Sequence, residues 1–477
     1  MGKSLQPLRV GDRPALQVEE MVVGGESLAR YEGLPVFIPF GVPGDRLIAR
    51  VISTKPGYAR ALIEEIDAPG VAREEPPCDV FGVCGGCQWQ MLSRAAQAQW
   101  KKAIVEDSLR RIAGISPENI VADCLSSPEF WHYRNKVHWA IEHTADGWKL
   151  GLFEPRSHRV VTTSACALQH PTLTAAQHAL EAALETLQLT AYSEQKQTGF
   201  LRSTFAKVGH RSGELMVGIV TREASFPQAN LLVERLREQL PHLTTVVQNV
   251  HRSAGNKLMG PETRTLYGPG VIKEELNTGP THRPLTLSIS PVSFFQVNGA
   301  AVEILYDAIA NACGLPKEGP VGTGPHIIDA YSGTGAIALF LAARGAGKVT
   351  GIEIITAATN DAAHNASVNG LESRVQFITG AVENLLGGLL HEISEKQTIV
   401  LDPPRKGCET AVIDALLTHH PERIVYVSCN PATQARDIKR LTAGGYQLQR
   451  VQPVDMFPQT AHVECIAELR WSPNTQI

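Results

Sequence analysis

The chain has no apolar run approaching the ~18–20 residues needed to cross a bilayer, and its first residues, MGKSLQPLRVGDRP, hold no apolar signal-peptide core. It begins Met-Gly, but Gln6 stands where a myristoylation signal needs Ser or Thr. A cytoplasmic protein with no membrane partner is expected. Neither a low-complexity tract nor an internal repeat interrupts the sequence, which leaves ordinary globular domains. A general excess of positive charge is also missing: 44 Lys and Arg face 48 Asp and Glu, for a net charge of −4. That excludes a basic coat over the whole surface, while a local basic groove stays compatible with it.

What is present is length and pattern. At 477 residues and 43% apolar composition, the chain exceeds one core and implies two to four domains. The first seventy residues carry short β-rich runs, "LQVEEMVVGG", "LPVFIPFGVPGDRLIARVIS" and "YARALIEEI", punctuated by Gly24-Gly25 and Pro43-Gly44. Five such strands make a small barrel of a kind that binds nucleic acid; a purely structural β module is the alternative. Residues 90–112 have helical periodicity with basic residues on the outer face and a stop at Gly114. Residues 130–285 mix β-like runs with one long helical stretch. From about residue 300 strands alternate with helices, which implies a parallel, doubly wound sheet.

In that last part, Asp329-Ala-Tyr-Ser-Gly-Thr-Gly335 falls at a strand-to-helix turn, where glycines let backbone approach a ligand. Glu353 ends the next strand, placed to bond a ribose hydroxyl pair. No third glycine follows, so this is not a full dinucleotide fingerprint; the single Gly-x-Gly after an Asp looks more like the S-adenosylmethionine variant. A later strand ends in Asp402-Pro403-Pro404-Arg405, the kind of corner where methyltransferases meet a target base, although Asp402 also reads as a turn cap. The next ends in Ser428-Cys429-Asn430-Pro431. A cysteine there is either a small buried hydrophobe or a nucleophile where ligands bind.

The nine cysteines are an odd set, with three crowded into Cys78-x5-Cys84-x2-Cys87. In a chain with no secretion signal such a cluster points to metal or redox chemistry. Gly85-Gly86 gives the tight turn and free amides that let three thiolates surround one centre. A fourth ligand is missing locally, and a structural zinc is the rival to an iron–sulfur cluster.

Taken together, "SFFQVN" (293–298), "DAYSGTG" (329–335), "DPPRKG" (402–407), "SCNPATQARD" (428–437) and "MFPQTAHVE" (456–464) resemble the RNA uracil-5-methyltransferase family, over nearly the whole chain. The resemblance implies an α/β fold with a Rossmann-like S-adenosylmethionine domain at 286–477. It implies an N-terminal OB-like TRAM RNA-binding barrel at 1–69 and a central α+β iron–sulfur domain at 70–285, with the 93–113 helix packed on the catalytic domain. It makes Cys429 the nucleophile that attacks uracil C6, and Glu464 the base that takes the C5 proton. It places Gln296, Tyr331, Gly333, Glu353 and Asp402 at the cofactor, Asp402 also within reach of the uracil N3 proton. It supplies Cys166 as fourth ligand, beside Cys78, Cys84 and Cys87, of a [4Fe–4S] cluster. Two positions depart from the family pattern: Ala336 where some members have Asn, and Ala381 where an acidic adenine contact is common. Adenine recognition is therefore expected to lean on backbone groups and apolar stacking.

The expected partner is RNA, handled by a monomer. A uracil inside a helix hides C6, so it must be flipped out or already unpaired. Contact surfaces are expected on the barrel, on the helix with Trp100, Lys101, Lys102, Arg110 and Arg111, and on "WHYRNK" (131–136), although a solvated helix face and a packing strand would look the same. 23S ribosomal RNA is the expected target, because the TRAM and iron–sulfur pair accompanies that activity; the same reaction on transfer RNA is the alternative. A non-catalytic RNA-binding scaffold is disfavoured by the presence of both Cys429 and Glu464. A nicotinamide oxidoreductase is disfavoured by the absent third glycine.

Overall fold

The computed structural model describes residues 8–255, 257–280, 283–318, 322–393 and 397–472; Gln6, on which the myristoylation reading rests, lies outside them. Strands β1 (Ala15–Met21), β2 (Ser27–Tyr31), β3 (Leu34–Ile38), β4 (Arg46–Lys55) and β5 (Tyr58–Ala68) close into a barrel in the order β1-β2-β3-β5-β4. Successive side chains of a strand point to opposite faces, so Leu16, Val18, Val36, Ile38 and Val51 fill the interior. Closure removes the exposed strand edges. Buried Asp45 accepts from the amides of Val42 at 2.7 Å and Gly70 at 2.8 Å and from Arg73 Nε at 3.0 Å, fixing where the chain leaves the barrel. Burial raises its pKa, but Arg73 and those amides outweigh burial and hold the carboxyl below the usual range.

Beyond the cysteines comes α1 (Arg94–Ser108), capped by Ser93 Oγ, then a π-turn at Leu109–Ala113 ended by Gly114 at φ 72° and the two-residue β6 (Leu125–Ser126). A seven-stranded sheet follows, built from β7 (Lys136–Thr144), β8 (Gly147–Phe153), β9 (Val160–Val161), β10 (Leu201–Val208), β11 (Leu215–Thr221), β12 (Leu243–Val250) and β13 (Glu262–Tyr267). Its order is β13-β12-β11-β10-β7-β8-β9. Side-chain alternation gives it two buried faces. Leu215, Val217 and Ile219 pack under α2 (Pro171–Glu185) and α3 (Ala229–Gln239). Phe205, Met216 and Val220 instead join the core of the C-terminal half. A hairpin, β14 (Ile272–Leu276) and β15 (Leu285–Ile289), completes that junction.

The C-terminal half runs α4 (Gly299–Ala312), β16 (His326–Ala330), α5 (Ala336–Ala343), β17 (Lys348–Glu353), α6 (Thr356–Val368), β18 (Val375–Thr379), α7 (Val382–Glu392), β19 (Gln397–Leu401), α8 (Thr410–His419), β20 (Arg423–Ser428), α9 (Pro431–Ala443), β21 (Tyr446–Asp455) and β22 (Glu464–Trp471). The sheet order is β18-β17-β16-β19-β20-β22-β21-β6, parallel through β20 and closed by an antiparallel hairpin. The chain winds outward from β16 to β18, then resumes at β19 on the other side. The winding direction therefore reverses between β16 and β19, and ligands bind outside the carboxyl ends of strands at such a point. Helix α1 lies against α9 and β21, so a segment far upstream in sequence braces this sheet.

Candidate active site

Tyr331 follows β16 and turns the chain at φ 71°, a backbone region uncommon for a side-chain-bearing residue. Gly333 (φ 55°) and Gly335 (φ 80°) continue the turn. A Cβ at Gly335 would lie 2.6 Å from Phe377 Cζ, whereas one at Gly333 would meet nothing within 4 Å. Gly335 is thus required by packing, and Gly333 keeps the cleft open. Glu353, nearly buried at the end of β17, accepts from Gly333 N at 3.0 Å and Ile355 N at 2.8 Å. These bonds aim its carboxylate at the cleft and leave further lone pairs for a ligand.

At and just beyond the end of β16, the Asp329 carboxyl oxygens and Ser332 Oγ are buried with no side-chain partner among the described residues, and the Tyr331 hydroxyl faces Cys408. Such orphaned groups are rare in proteins. Burial, then the charge of Asp402, pushes the Asp329 carboxyl well above its usual range. Ile354 and Ile355, 65% and 60% exposed, give an apolar surface directly after Glu353. Ala381 caps α7 with no side-chain bond. Gln296 is buried in the loop between β15 and α4, and its carbonyl accepts from Asn135 Nδ2 at 3.1 Å.

Cys429 stands one residue beyond β20. Asn430 caps α9 by accepting from Ala432 N at 3.2 Å, and Pro431 opens that helix. The turn is tied to the neighbouring strand end, because Asn430 Nδ2 and Thr433 Oγ1 both donate to the Arg405 carbonyl. Across the sheet Ser428 pairs with Cys465, so the next step of the antiparallel ladder brings Cys429 and Glu464 face to face. Burial, then the nearby Glu464 carboxyl, pushes the Cys429 thiol up, and the Arg405 guanidinium counteracts them. Burial, then Asp402, raises Glu464 to about 8 against the pull of Arg405. Burial alone lifts Asp402 to about 7. Cys429, Glu464, Asp402 and Arg405 thus form one electrostatic unit at the ends of β19, β20 and β22. Tyr331 and Gly333 follow the neighbouring β16, and Glu353 ends β17 beyond it. Of this group, Arg405 lay inside the quoted DPPRKG motif with no role assigned to it.

Two loops at the site are held by partners distant in sequence. Buried Lys207, on β10, donates to the carbonyls of Ser290 at 2.8 Å and Ser293 at 3.0 Å, in the loop that carries Gln296. Asn298 donates to the Met456 carbonyl at 3.1 Å, and the Tyr133 hydroxyl to that of Pro458 at 2.9 Å. No local pattern marks Lys207 in the sequence.

Cys78, Cys84, Cys87 and Cys166 all line one cavity of about 40 Å³. Gln90 Oε1, Arg134 Nε and Gln169 Oε1, from residues lining the same cavity, are buried without partners. Burial pushes the Cys87 thiol up to about 12. Among the described residues no three His, Cys, Asp or Glu side chains meet closely enough to hold a single metal ion. The expected basic helix face is corrected in one respect: Lys101 is fully buried and paired with Asp455. Lys102 pairs with Asp123, Arg110 with Glu118 and Arg111 with Asp107. Phe130 and Trp131 are half-buried edge-to-face neighbours, with Arg94 over the Phe130 ring at 5.7 Å. Among the described residues no helix is long and apolar enough to cross a membrane.

A doubly wound sheet whose winding reverses between β16 and β19, with a Gly-x-Gly turn and Glu353 at neighbouring strand ends and a cysteine and two raised carboxyls beyond, has the form of the methyltransferase class. The chain belongs to the tRNA (uracil-5-)-methyltransferase family, whose model matches residues 94–470. It is similar to an uncharacterized RNA methyltransferase of Halalkalibacterium halodurans, 37% identical over 98% of this chain and 99% of the relative. A second, from Oceanobacillus iheyensis, is 35% identical with the same coverage. Among solved structures it resembles the Pyrococcus abyssi tRNA (uracil-54, C5)-methyltransferase in complex with S-adenosyl-L-homocysteine, with a TM-score of 0.71, 27% identity, and coverage of 96% of this chain and 100% of that one. The protein is an S-adenosylmethionine-dependent RNA methyltransferase.

Proposed function

We propose that the chain methylates C5 of a uridine in structured RNA, with Cys429 as nucleophile and Glu464 as base. The observation that carries this is the end of the β20–β22 ladder, where Ser428 pairs with Cys465 and the Glu464 carboxyl acts electrostatically on the Cys429 thiol. Carbon 5 of uracil is a weak nucleophile. The Cys429 thiolate forms a bond to C6 and pushes the ring electrons onto O4, which makes C5 electron-rich. The cofactor supplies an electrophilic methyl on its sulfonium; C5 takes it, and the thioether leaves. Glu464 then removes the C5 proton, the C5=C6 bond re-forms, and the Cys429–C6 bond breaks. Arg405 favours the thiolate. A carboxyl raised to about 8 rests mostly protonated at neutral pH and is a stronger base once ionised. Glu353 would hold the ribose, and Gln296, Tyr331, Gly333 and Asp402 would line the rest of the cofactor site. Exposed Ile354 and Ile355 suit adenine stacking, in place of the side chains that Ala336 and Ala381 lack.

RNA carrying 5-fluorouridine should trap a stable adduct, since fluorine does not leave as a proton does. Cys429→Ala should abolish that adduct and keep cofactor binding. Persistence of the adduct in the variant would remove Cys429 from the role.

The four cysteines fit a [4Fe–4S] cluster. They line one cavity together, and a structural zinc, which also takes four cysteines, is the rival. Methyl transfer moves no electrons, so the group's part is structural or RNA-contacting. A colourless anaerobic preparation with stoichiometric zinc would overturn this assignment.

On the division expected above, residues 1–69, 70–285 and 286–477 act as RNA-binding, cluster and catalytic domains. One copy carries every residue of the site, which supports a monomer, and we place it in the cytoplasm. We take 23S ribosomal RNA as substrate because the TRAM and cluster features travel together with that activity. The tRNA enzyme from Pyrococcus abyssi favours a second reading, transfer RNA. Labelled methyl recovered as 5-methyluridine from undermodified large-subunit RNA, against transfer RNA, decides between them.

A further inference from the structure

The loop between β21 and β22 leads directly into Glu464, and its grip comes from a helix more than 350 positions upstream in sequence. Gln97, on α1, is fully buried. Its Nε2 donates to the carbonyls of Trp89 at 3.0 Å and Leu92 at 2.9 Å and to Gln459 Oε1 at 2.9 Å; its Oε1 accepts from Gln459 N at 2.8 Å. Gln459 sits at φ 70°, a conformation that persists only where the surroundings over-determine it. Its carbonyl accepts from the amides of Gln88 and Trp89 at 3.0 and 2.9 Å. One turn along α1, the Lys101 ammonium pairs with Asp455 and donates to the Phe457 carbonyl at 3.0 Å.

Apolar contact alone would dock α1 on the sheet. A buried charge pair is weak evidence for stability and is best attested as a device that fixes register. The register fixed here matters, because Val454 pairs with Glu464 across β21 and β22, and Asp455 is the next residue. The clamp therefore grips the hairpin one residue from the cross-strand partner of Glu464. Gln88 and Trp89 directly follow Cys87, so the cysteine-bearing segment is fastened to the same loop.

We propose that Gln97 and Lys101 are positioning residues for Glu464, acting through the 455–460 loop. The inference rests on the reading of Glu464 as the base. In that mechanism the base acts last, after the Cys429–C6 bond has formed and the methyl has moved. A displaced base leaves the methylated adduct unresolved, so the adduct accumulates on RNA containing ordinary uridine. A merely structural role would depress adduct formation and turnover together.

The experiment follows the RNA-linked protein band on denaturing gels, with the full chain, S-adenosylmethionine and ordinary uridine RNA, alongside turnover and cofactor retention. Glu464→Gln is the control and should hold most of the enzyme as adduct. Gln97→Met should lower turnover about a hundredfold, the scale of an ångström's misplacement, while the adduct band rises and cofactor retention is unchanged. Lys101→Arg should restore turnover lost in Lys101→Met. Adduct and turnover falling together in a folded Gln97→Met protein would overturn the proposal. If that variant does not fold, the same comparison is read from Lys101→Met, whose adduct must rise as turnover falls and return to the wild-type level in Lys101→Arg. No adduct in Glu464→Gln removes the base assignment, and this inference with it.

Discussion

Replacing Glu464 with Gln should stabilise the protein while stopping turnover, and the gain should grow with pH. The side chain is 6% exposed, and burial, then Asp402, lifts its carboxyl from an ordinary 4.5 to about 8. In the unfolded chain Glu464 ionises above pH 4.5, whereas in the native state it keeps its proton to about pH 8. Between those values the unfolded state binds fewer protons, so native stability falls as pH rises. Each pH unit costs ~1.4 kcal/mol, which makes the loss ~3 kcal/mol by pH 7 and ~4 kcal/mol by pH 8. Glutamine has the same shape and cannot ionise, so the variant escapes the loss. Asp402 titrates near 7 in the same pocket, and the two carboxyls release protons as a coupled pair. The assay is thermal unfolding of both proteins at pH 5, 6, 7 and 8. The gap should be under ~1 kcal/mol at pH 5, then open with pH at ~2–4 °C per kcal/mol for a cooperative unit of this size. A gap that is constant from pH 5 to 8, or a variant less stable at pH 8, would refute a neutral Glu464 in the native enzyme.

Gly335→Ala should destabilise the chain by ~1–3 kcal/mol through its positive φ, with a further cost where the new methyl meets Phe377 Cζ at 2.6 Å; full cofactor retention in equilibrium dialysis at wild-type stability would contradict this. Lys207→Met should leave the Ser293 carbonyl without its donor and the Ser290 carbonyl with only the Ser293 amide at 3.3 Å, at a cost of ~1–3 kcal/mol. Because the loop they hold carries Gln296, the KM for S-adenosylmethionine should rise more than kcat falls, and a fall confined to kcat would argue against that coupling.

The C-terminal half is legible in sequence because each of its signals is local. A parallel strand buried on both faces reads as an apolar run, and the groups proposed to do the chemistry lie at or within a few residues of the ends of such runs: Tyr331 after β16, Glu353 on β17, Asp402 after β19, Cys429 after β20. Five barrel strands were legible for the same reason, through alternation and Gly-containing turns. What stayed hidden is whatever depends on two distant segments meeting. Lys101 reads as a solvated cation, since a helix in isolation has no Asp455; only the tertiary contact, 354 positions away, makes it a buried ion pair. Two-residue β6 adds the eighth strand with too few residues to show a period. Lys207 lies on a strand whose buried lysine looks like an interruption until the Ser290–Ser293 loop is folded over it. The division has a physical basis. A reacting group needs a strand end and a tight turn, both written in neighbouring residues, whereas holding that group within tenths of an ångström takes partners from elsewhere in the chain. Here those partners come from α1 and β10, so alignment of the site depends on segments that lie outside the methyltransferase half.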